Sequence, residues 1–300
     1  MFYGWAGANL EVDLSRGKLK KVAADPKVLE SCLGGLGTNA RILWDRVPPE
    51  VDAFSPGNLL IFGTGVLTGT PAPAFNKTVV SFKSPVTDMV AISTLGGFWG
   101  PALKSAGYDT LTVSGRSDKP VYLWINDDRV ELRDARHLWG KNCPQTEKIL
   151  RQELQADDIE ILYIGPAGEN EVFAASIEGT SAASASRGGA GAVMGNKKLK
   201  AIAVRGTKDI NLADGARLIE LSEQILHKTG PGGMASRDNV VGATTISLVN
   251  RNLWAVDFYG ADVPAAVQEK VKDIPRTVAG FARKFRTRQV SCYNCPSKCK

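Results

Sequence analysis

Residues 187–206 read Arg187-Gly188-Gly189-Ala190-Gly191-Ala192-Val193-Met194-Gly195-Asn196-Lys197-Lys198-Leu199-Lys200-Ala201-Ile202-Ala203-Val204-Arg205-Gly206. A glycine pair opens the stretch, an apolar turn runs to two lysines, and residues 201–204 read as a strand that closes at Gly206. The same order occurs earlier in the chain. Gly96-Gly97-Phe98-Trp99-Gly100 leads through an apolar turn to Lys104, and Thr110-Leu111-Thr112-Val113 forms a strand that closes at Gly115. The first glycine of the pair stands 19 residues before the closing glycine in the earlier copy and 18 in the later. Upstream, each copy carries two further strands around a Gly/Pro-containing loop, over 59–63 and 78–82 in one and over 159–165 and 172–177 in the other. Repetition on this scale predicts two homologous lobes, each built as strand, loop, strand, glycine turn, helix, strand.

Two hairpins read as lying outside those lobes. One opens the chain, with strands over 9–14 and 18–22 around Ser15-Arg16-Gly17; the other separates the lobes, over 121–125 and 129–133 around Asn126-Asp127-Asp128. Asp25-Pro26 starts a short helix that the Gly34-Gly35 pair should end. Ile149, Leu150 and Leu154 mark another helix after Gly140. From Asp214 the texture changes: Leu218, Leu221, Ile225 and Leu226 fall at helical spacing and strands become scarce. The predicted class is therefore α+β. A β-rich domain of two pseudo-symmetric lobes spans residues 1–210, and the beginning of a mainly α-helical domain spans 211–300.

Three of the five cysteines stand together as Cys292-x2-Cys295-x3-Cys299. That spacing gathers three thiolates on one short loop, as an iron–sulfur cluster or a structural zinc requires. Both take four ligands, so either Cys32 or Cys143 completes the set or a longer polypeptide supplies the fourth; the second is the expectation. The two histidines, His137 and His227, are far away in sequence. An odd cysteine count with no signal peptide does not read as a secreted disulfide framework.

With 43% hydrophobic residues in 300, the composition is that of ordinary globular material. No apolar run reaches the length of a membrane helix, which makes the cytoplasm the expected location. Much of the net charge of +6 comes from Arg276, Arg283, Lys284, Arg286 and Arg288. Such a run fits a solvated helix face, an acidic electron-transfer partner, or nucleic acid. Glycine pairs that open helices present free backbone N–H groups to a phosphate. Two of them in related lobes point to two related anionic ligands, or to one ligand with two phosphate-bearing halves. Gly63-Thr64-Gly65 runs into Pro71-Ala72-Pro73 and not a helix, which argues against a dinucleotide fold. The sequence has no phosphate-binding P-loop motif and no nucleophile-elbow serine, and two histidines leave a hydrolase triad little to draw on.

Several segments follow a known family in order. They are Leu67-Thr68-Gly69-Thr70, Lys83-Ser84-Pro85, Gly96-Gly97-Phe98-Trp99-Gly100, Ala106-Gly107-Tyr108-Asp109, residues 164–170, residues 187–195 and the cysteine motif. Together they make the chain resemble the amino-terminal half of the tungsten-containing aldehyde:ferredoxin oxidoreductases. The resemblance implies a β-rich domain of two pseudo-symmetric halves with one pterin on each. Tungsten or molybdenum would be held by four dithiolene sulfurs, and Mg2+ would bridge the two pterin phosphates. It places pterin contacts on Lys77, Thr94 and Gly96 in the first lobe and on Ala183, Ser184, Ser186 and Arg187 in the second. Family members usually carry arginine at Lys77, and arginine is common at Ala183. Cys292, Cys295 and Cys299 would ligate a [4Fe-4S] cluster, while Cys32 and Cys143 would be small core residues.

Two enzymatic activities fit that resemblance. One is oxidation of aldehydes to carboxylic acids, with electrons passed through the cluster to ferredoxin or another iron–sulfur carrier. The other is reduction of an aromatic acyl-CoA by the tungsten subunit of a dearomatising benzoyl-CoA reductase, to which residues 33–39 and 43–51 look closer. An oligomer or multi-subunit complex is expected with either. The catalytic acid/base groups would lie outside these residues, which are expected to be inactive alone. The non-enzymatic alternative is a basic zinc-loop protein that binds nucleic acid.

Overall fold

The computed structural model describes residues 3–180, 183–229, 284 and 290–296. Its first hairpin is β1 (Ala8–Asp13) and β2 (Lys18–Ala23), followed by helices α1 (Pro26–Cys32) and α2 (Gly35–Arg46). Then come β3 (Leu60–Thr64), β4 (Thr78–Lys83), β5 (Val90–Leu95), α3 (Trp99–Ser105) and β6 (Thr110–Ser114). A second hairpin, β7 (Val121–Asn126) and β8 (Arg129–Asp134), precedes α4 (Cys143–Leu154). The remaining elements are β9 (Glu160–Tyr163), α5 (Pro166–Glu169), β10 (Ile177–Gly179), β11 (Ala183–Ala185), α6 (Ala190–Asn196), β12 (Leu199–Arg205) and α7 (Gly215–Thr229).

The strands form two six-stranded sheets, ordered β2-β1-β6-β3-β4-β5 and β8-β7-β12-β9-β10-β11. The order is the same in both. In each, the hairpin strand nearest the centre pairs in parallel with the last strand of the lobe, β1 with β6 and β7 with β12, and every other pairing is antiparallel. The duplication read from the glycine turns is therefore real, and larger than the sequence pattern indicated. The two hairpins read as lying outside the lobes are the two strands at one edge of each sheet.

Alternation sorts the side chains into layers. Leu60 and Phe62 of β3, Leu111 and Val113 of β6, and Ile202 and Val204 of β12 share one core between the sheets. Trp99 of α3 and Met194 of α6 are buried in the same core, and Trp99 Nε1 donates to Ile202 O at 3.1 Å. Each large aliphatic side chain buried there stabilises the fold by about 1.5–3 kcal/mol. On the outer faces, Ile61 packs with Leu43 of α2, and Tyr122, Ile161 and Ala203 pack with Leu150 of α4.

Three features differ from the sequence reading. The helix expected to end at Gly34-Gly35 ends at Cys32, with Leu33 (φ 55°, left-handed) as its cap, and the glycine pair opens a second helix, α2, that Gly34 caps. Three glycines in the chain's 34–37 segment masked that helix. The strand expected over 172–177 begins only at Ile177, because Val172 and Phe173 are exposed. Cys32 is no core residue; it ends α1 beside Ser31, whereas Cys143 is half-buried against the outer core of the second lobe. The helix expected from 214 is α7, and the rest of the helical domain expected beyond 229, Cys299 and the basic positions 276, 283, 286 and 288 lie outside the described residues. No helix among the described residues is long and apolar enough to cross a membrane.

Buried lysines tie the lobes internally and to each other. Lys104 pairs with Asp109 at 3.0 Å and donates to Gly65 O, just after β3; Lys200 pairs with Glu169 and donates to Ile164 O, just after β9. Asp109 and Lys200 both stand six residues before their lobe's closing glycine, so the duplicated position carries opposite charges in the two lobes. Lys197 crosses between lobes, donating to Asn58 O at 2.5 Å and Gly115 O at 3.0 Å, and burial pulls its pKa down to about 8. A folded-state value below the unfolded one means that the unfolded chain binds more protons across this window. Stability should therefore rise with pH from about 8 to about 10.5, by up to about 1.4 kcal/mol per unit. Urea unfolding of Lys197→Met alongside the native protein checks this. The native curve should climb more steeply than the variant's over that range, and parallel curves would contradict it.

Candidate functional site

The edge strands of the two sheets, β5 and β11, come together, and most of the sequence-predicted residues surround their junction. Arg187 N donates to Ser93 Oγ of β5 at 3.2 Å, and Ser84 Oγ donates to Gly188 O at 2.7 Å. A Cβ placed on Gly97, whose φ is +100°, would stand 3.3 Å from the Ala183 methyl of the other lobe. Only a residue without a side chain fits that crossing in a left-handed conformation. On β5, Thr94 is opposite Val79 and points outward, on the same face as Val90 and Ile92. Ser186 and Arg187 are exposed, and the Arg187 guanidinium has no ion-pair partner among the described residues. Ser184 faces away from Ala183, and its hydroxyl donates to Glu178 Oε1 at 2.9 Å, which leaves mainly its backbone for a ligand. Close by, Thr180 Oγ1 donates to the Glu160 carboxyl, which burial pushes above the usual carboxylate range.

The cysteine loop sits on the first lobe's glycine turn. A Cβ on Gly96 would be 2.7 Å from Cys292 Sγ, 3.4 Å from Asn76 Oδ1 and 3.6 Å from Lys77 Nζ. Gly96 is not in the left-handed region, so its missing side chain matters here for space. Cys292 is buried, Cys295 half-buried, and Cys295 N donates to Cys292 O at 3.1 Å. A depression of about 380 Å³ opens beside them, lined by Phe98, Leu226, Asn294 and Pro296 among others. Lys77 is exposed with no ion-pair partner among the described residues, so its ammonium is free to face an anionic group at the thiols. Cys32 and Cys143 do not join Cys292 and Cys295 in any group of metal-ligand type among the described residues.

The contacts that seat this loop were invisible in the sequence. Tyr293 N donates to Gly97 O at 3.2 Å, and Asn76 Nδ2 donates to Tyr293 O at 3.1 Å. Asn76 is separated from Tyr293 by most of the chain, and no local pattern announces such a pairing.

Known proteins share this duplicated domain. The family model described as the aldehyde ferredoxin oxidoreductase N-terminal domain matches residues 9–206. Tungsten-containing aldehyde ferredoxin oxidoreductases of Pyrococcus abyssi and Pyrococcus furiosus are 38% and 37% identical to the chain over 99% of it. Those matches take in 48% and 49% of the relatives' own length, so the chain spans about half of each. The active site complex BamBC of benzoyl coenzyme A reductase, solved with 1,5 dienoyl-CoA, superposes with a TM-score of 0.84 at 44% identity, covering all of this chain and 47% of that one. The chain belongs to the aldehyde ferredoxin oxidoreductase family.

Proposed function

We propose that these residues form the pterin-binding half of a tungsten bis-pterin oxidoreductase that converts aldehydes to carboxylic acids. Electrons would leave through a [4Fe-4S] cluster on Cys292, Cys295 and Cys299 to ferredoxin or another iron–sulfur carrier. The observation that carries this reading is the convergence at Gly96: the turn expected to meet a pterin also lies against the Cys292 thiol and the Lys77 ammonium. When bound, the bis-pterin metal supplies two-electron redox chemistry and the cluster relays single electrons.

The residues present fit such groups. Gly96, Gly97 and Ala183 leave a junction clear of large side chains, and Arg187 and Lys77 offer cations at its two sides that have no ion-pair partner among the described residues. Arg187 would hold a pterin phosphate by charge-assisted hydrogen bonds. Thr94, Gly96, Ala183, Ser184 and Ser186 would line the two pterins, Ser184 through its backbone. Mg2+ would join the phosphates. We place the start of the helical domain at about residue 211 and the protein in the cytoplasm.

Lys77 would hold its positive charge beside Cys292, where it favours the added electron. Lys77→Met should therefore move the cluster potential in the negative direction in an EPR-monitored titration. An unchanged potential would place Lys77 away from the cluster's field.

A second reading is favoured by one observation: identity is higher to the benzoyl coenzyme A reductase complex, at 44%, than to the aldehyde oxidoreductases, at 36–38%. Under it the chain would belong to a tungsten subunit that reduces an aromatic acyl-CoA within a multi-subunit complex. Assays of the anaerobically purified native protein separate the two. Viologen reduction with simple aldehydes supports the first reading; turnover of benzoyl-CoA and its dienoyl product, without aldehyde oxidation, supports the second.

A further inference from the structure

We infer that Asn76, Tyr293 and Asn294 form a latch that fixes the cysteine loop on the first lobe's glycine turn, and so sets the position of the cluster relative to the cofactor there. The inference rests on the cluster reading above and concerns residues that bind neither metal nor pterin.

Tyr293 and Asn294 are the two residues between Cys292 and Cys295, and both are committed to lobe one. Besides the backbone bond to Gly97 O, the Tyr293 hydroxyl donates to Gly69 O at 2.9 Å. Its ring meets Phe98 edge-on, with centroids 6.1 Å apart at 85°. Asn294 O accepts from Ala74 N at 2.9 Å, and the Asn294 amide donates to Pro71 O. Asn76 is 3% exposed and works at both ends: its Nδ2 holds Tyr293 O while its Oδ1 lies against Gly96.

The receiving surface is itself fixed. The segment that offers Gly69 O and Pro71 O has no strand or helix of its own. It is pinned at its root by Lys104 on Gly65 O, by Gly65 N on Thr68 Oγ1 at 3.0 Å, and by Thr70 Oγ1 on Leu67 O at 2.8 Å. A loop that only had to ligate iron would need its thiolates and little else. Here both inter-cysteine residues spend their side chains on lobe one, which points to a demand on where the cluster sits. Hydrogen bonding and water access around a cluster set its potential.

The test uses the anaerobically purified native protein with Tyr293→Phe, which removes one hydroxyl bond and keeps the ring, and with Asn76→Ala. Iron release to a ferrous chelator is followed, together with the EPR-monitored cluster potential, tungsten content and melting temperature. Release should be roughly two- to tenfold faster in each variant, as expected for one lost hydrogen bond. The potential should shift positive as water reaches the cluster and stabilises its more highly charged reduced form, while tungsten content stays at the native level. Native release rates and potentials in both variants would overturn the latch, as would a lowered melting temperature with an unmoved potential, which marks a purely structural role. A native protein with no iron at all fails differently: it removes the cluster reading itself, before any variant is made.

Discussion

Replacing Gly96 with valine should strip most of the iron from the cysteine loop and lower the tungsten content with it. The new Cβ alone would stand 2.7 Å from Cys292 Sγ, closer than real side-chain carbons approach sulfur, and the two further methyls would press toward Asn76 and Lys77. Cys292 cannot simply turn aside, because the next residue's N–H is held by Gly97 O, one residue from the substitution. Overpacking of this kind costs about 1–3 kcal/mol. At the upper end that exceeds a tenfold change in cluster occupancy. Backbone strain contributes nothing, since Gly96 is outside the left-handed region. Gly65→Ala is the control, because its Cβ would meet nothing nearer than Thr68 Oγ1 at 3.7 Å. Anaerobic iron and tungsten analysis of the three proteins decides the matter, and a Gly96→Val protein with native iron would show that Cys292 does not need this space.

Arg187→Ala should have the second largest effect, and a different one. The Arg187 backbone N–H is held by Ser93 Oγ, so the turn keeps its anchor when the side chain is removed. What is lost is an exposed guanidinium with no ion-pair partner among the described residues. A hydrogen bond to a charged group contributes about 1.5–3 kcal/mol, so pterin retention should fall about ten- to a hundredfold. Cluster iron should stay near the native level, because the cysteine loop contacts the other lobe. Pterin released from the denatured protein, quantified by fluorescence, reads this out. Native pterin content in Arg187→Ala would leave the second glycine turn with a structural role only.

Part of this arrangement was legible in the sequence, for reasons specific to each element. The glycine turns stood out because Gly97 and Gly188–Gly189 need left-handed backbone that other residues avoid. The two hairpins were readable from short polar turns between alternating strands, yet their membership in the lobes was not, because parallel pairing of β1 with β6 joins residues a hundred positions apart. Strand β5 escaped notice because Val90 and Ile92 are exposed, so apolar residues occupy both faces and no alternation shows. Strand β11 is three small residues, too short and too plain to signal itself. The cysteine spacing announced a thiol site, but not that Gly96 would make room for it or that Asn76 would hold it. Those contacts span most of the chain and depend on the fold being complete.

Metal and cofactor analysis of the anaerobically purified native protein tests the central claim most directly. Iron, acid-labile sulfide, tungsten, molybdenum, zinc and pterin are quantified per chain. The expected result is two pterins and one tungsten or molybdenum, with iron and sulfide in the proportions of a four-iron cluster. Zinc bound to the cysteines, without iron, sulfide or pterin, would contradict it and return the chain to the class of basic zinc-loop proteins.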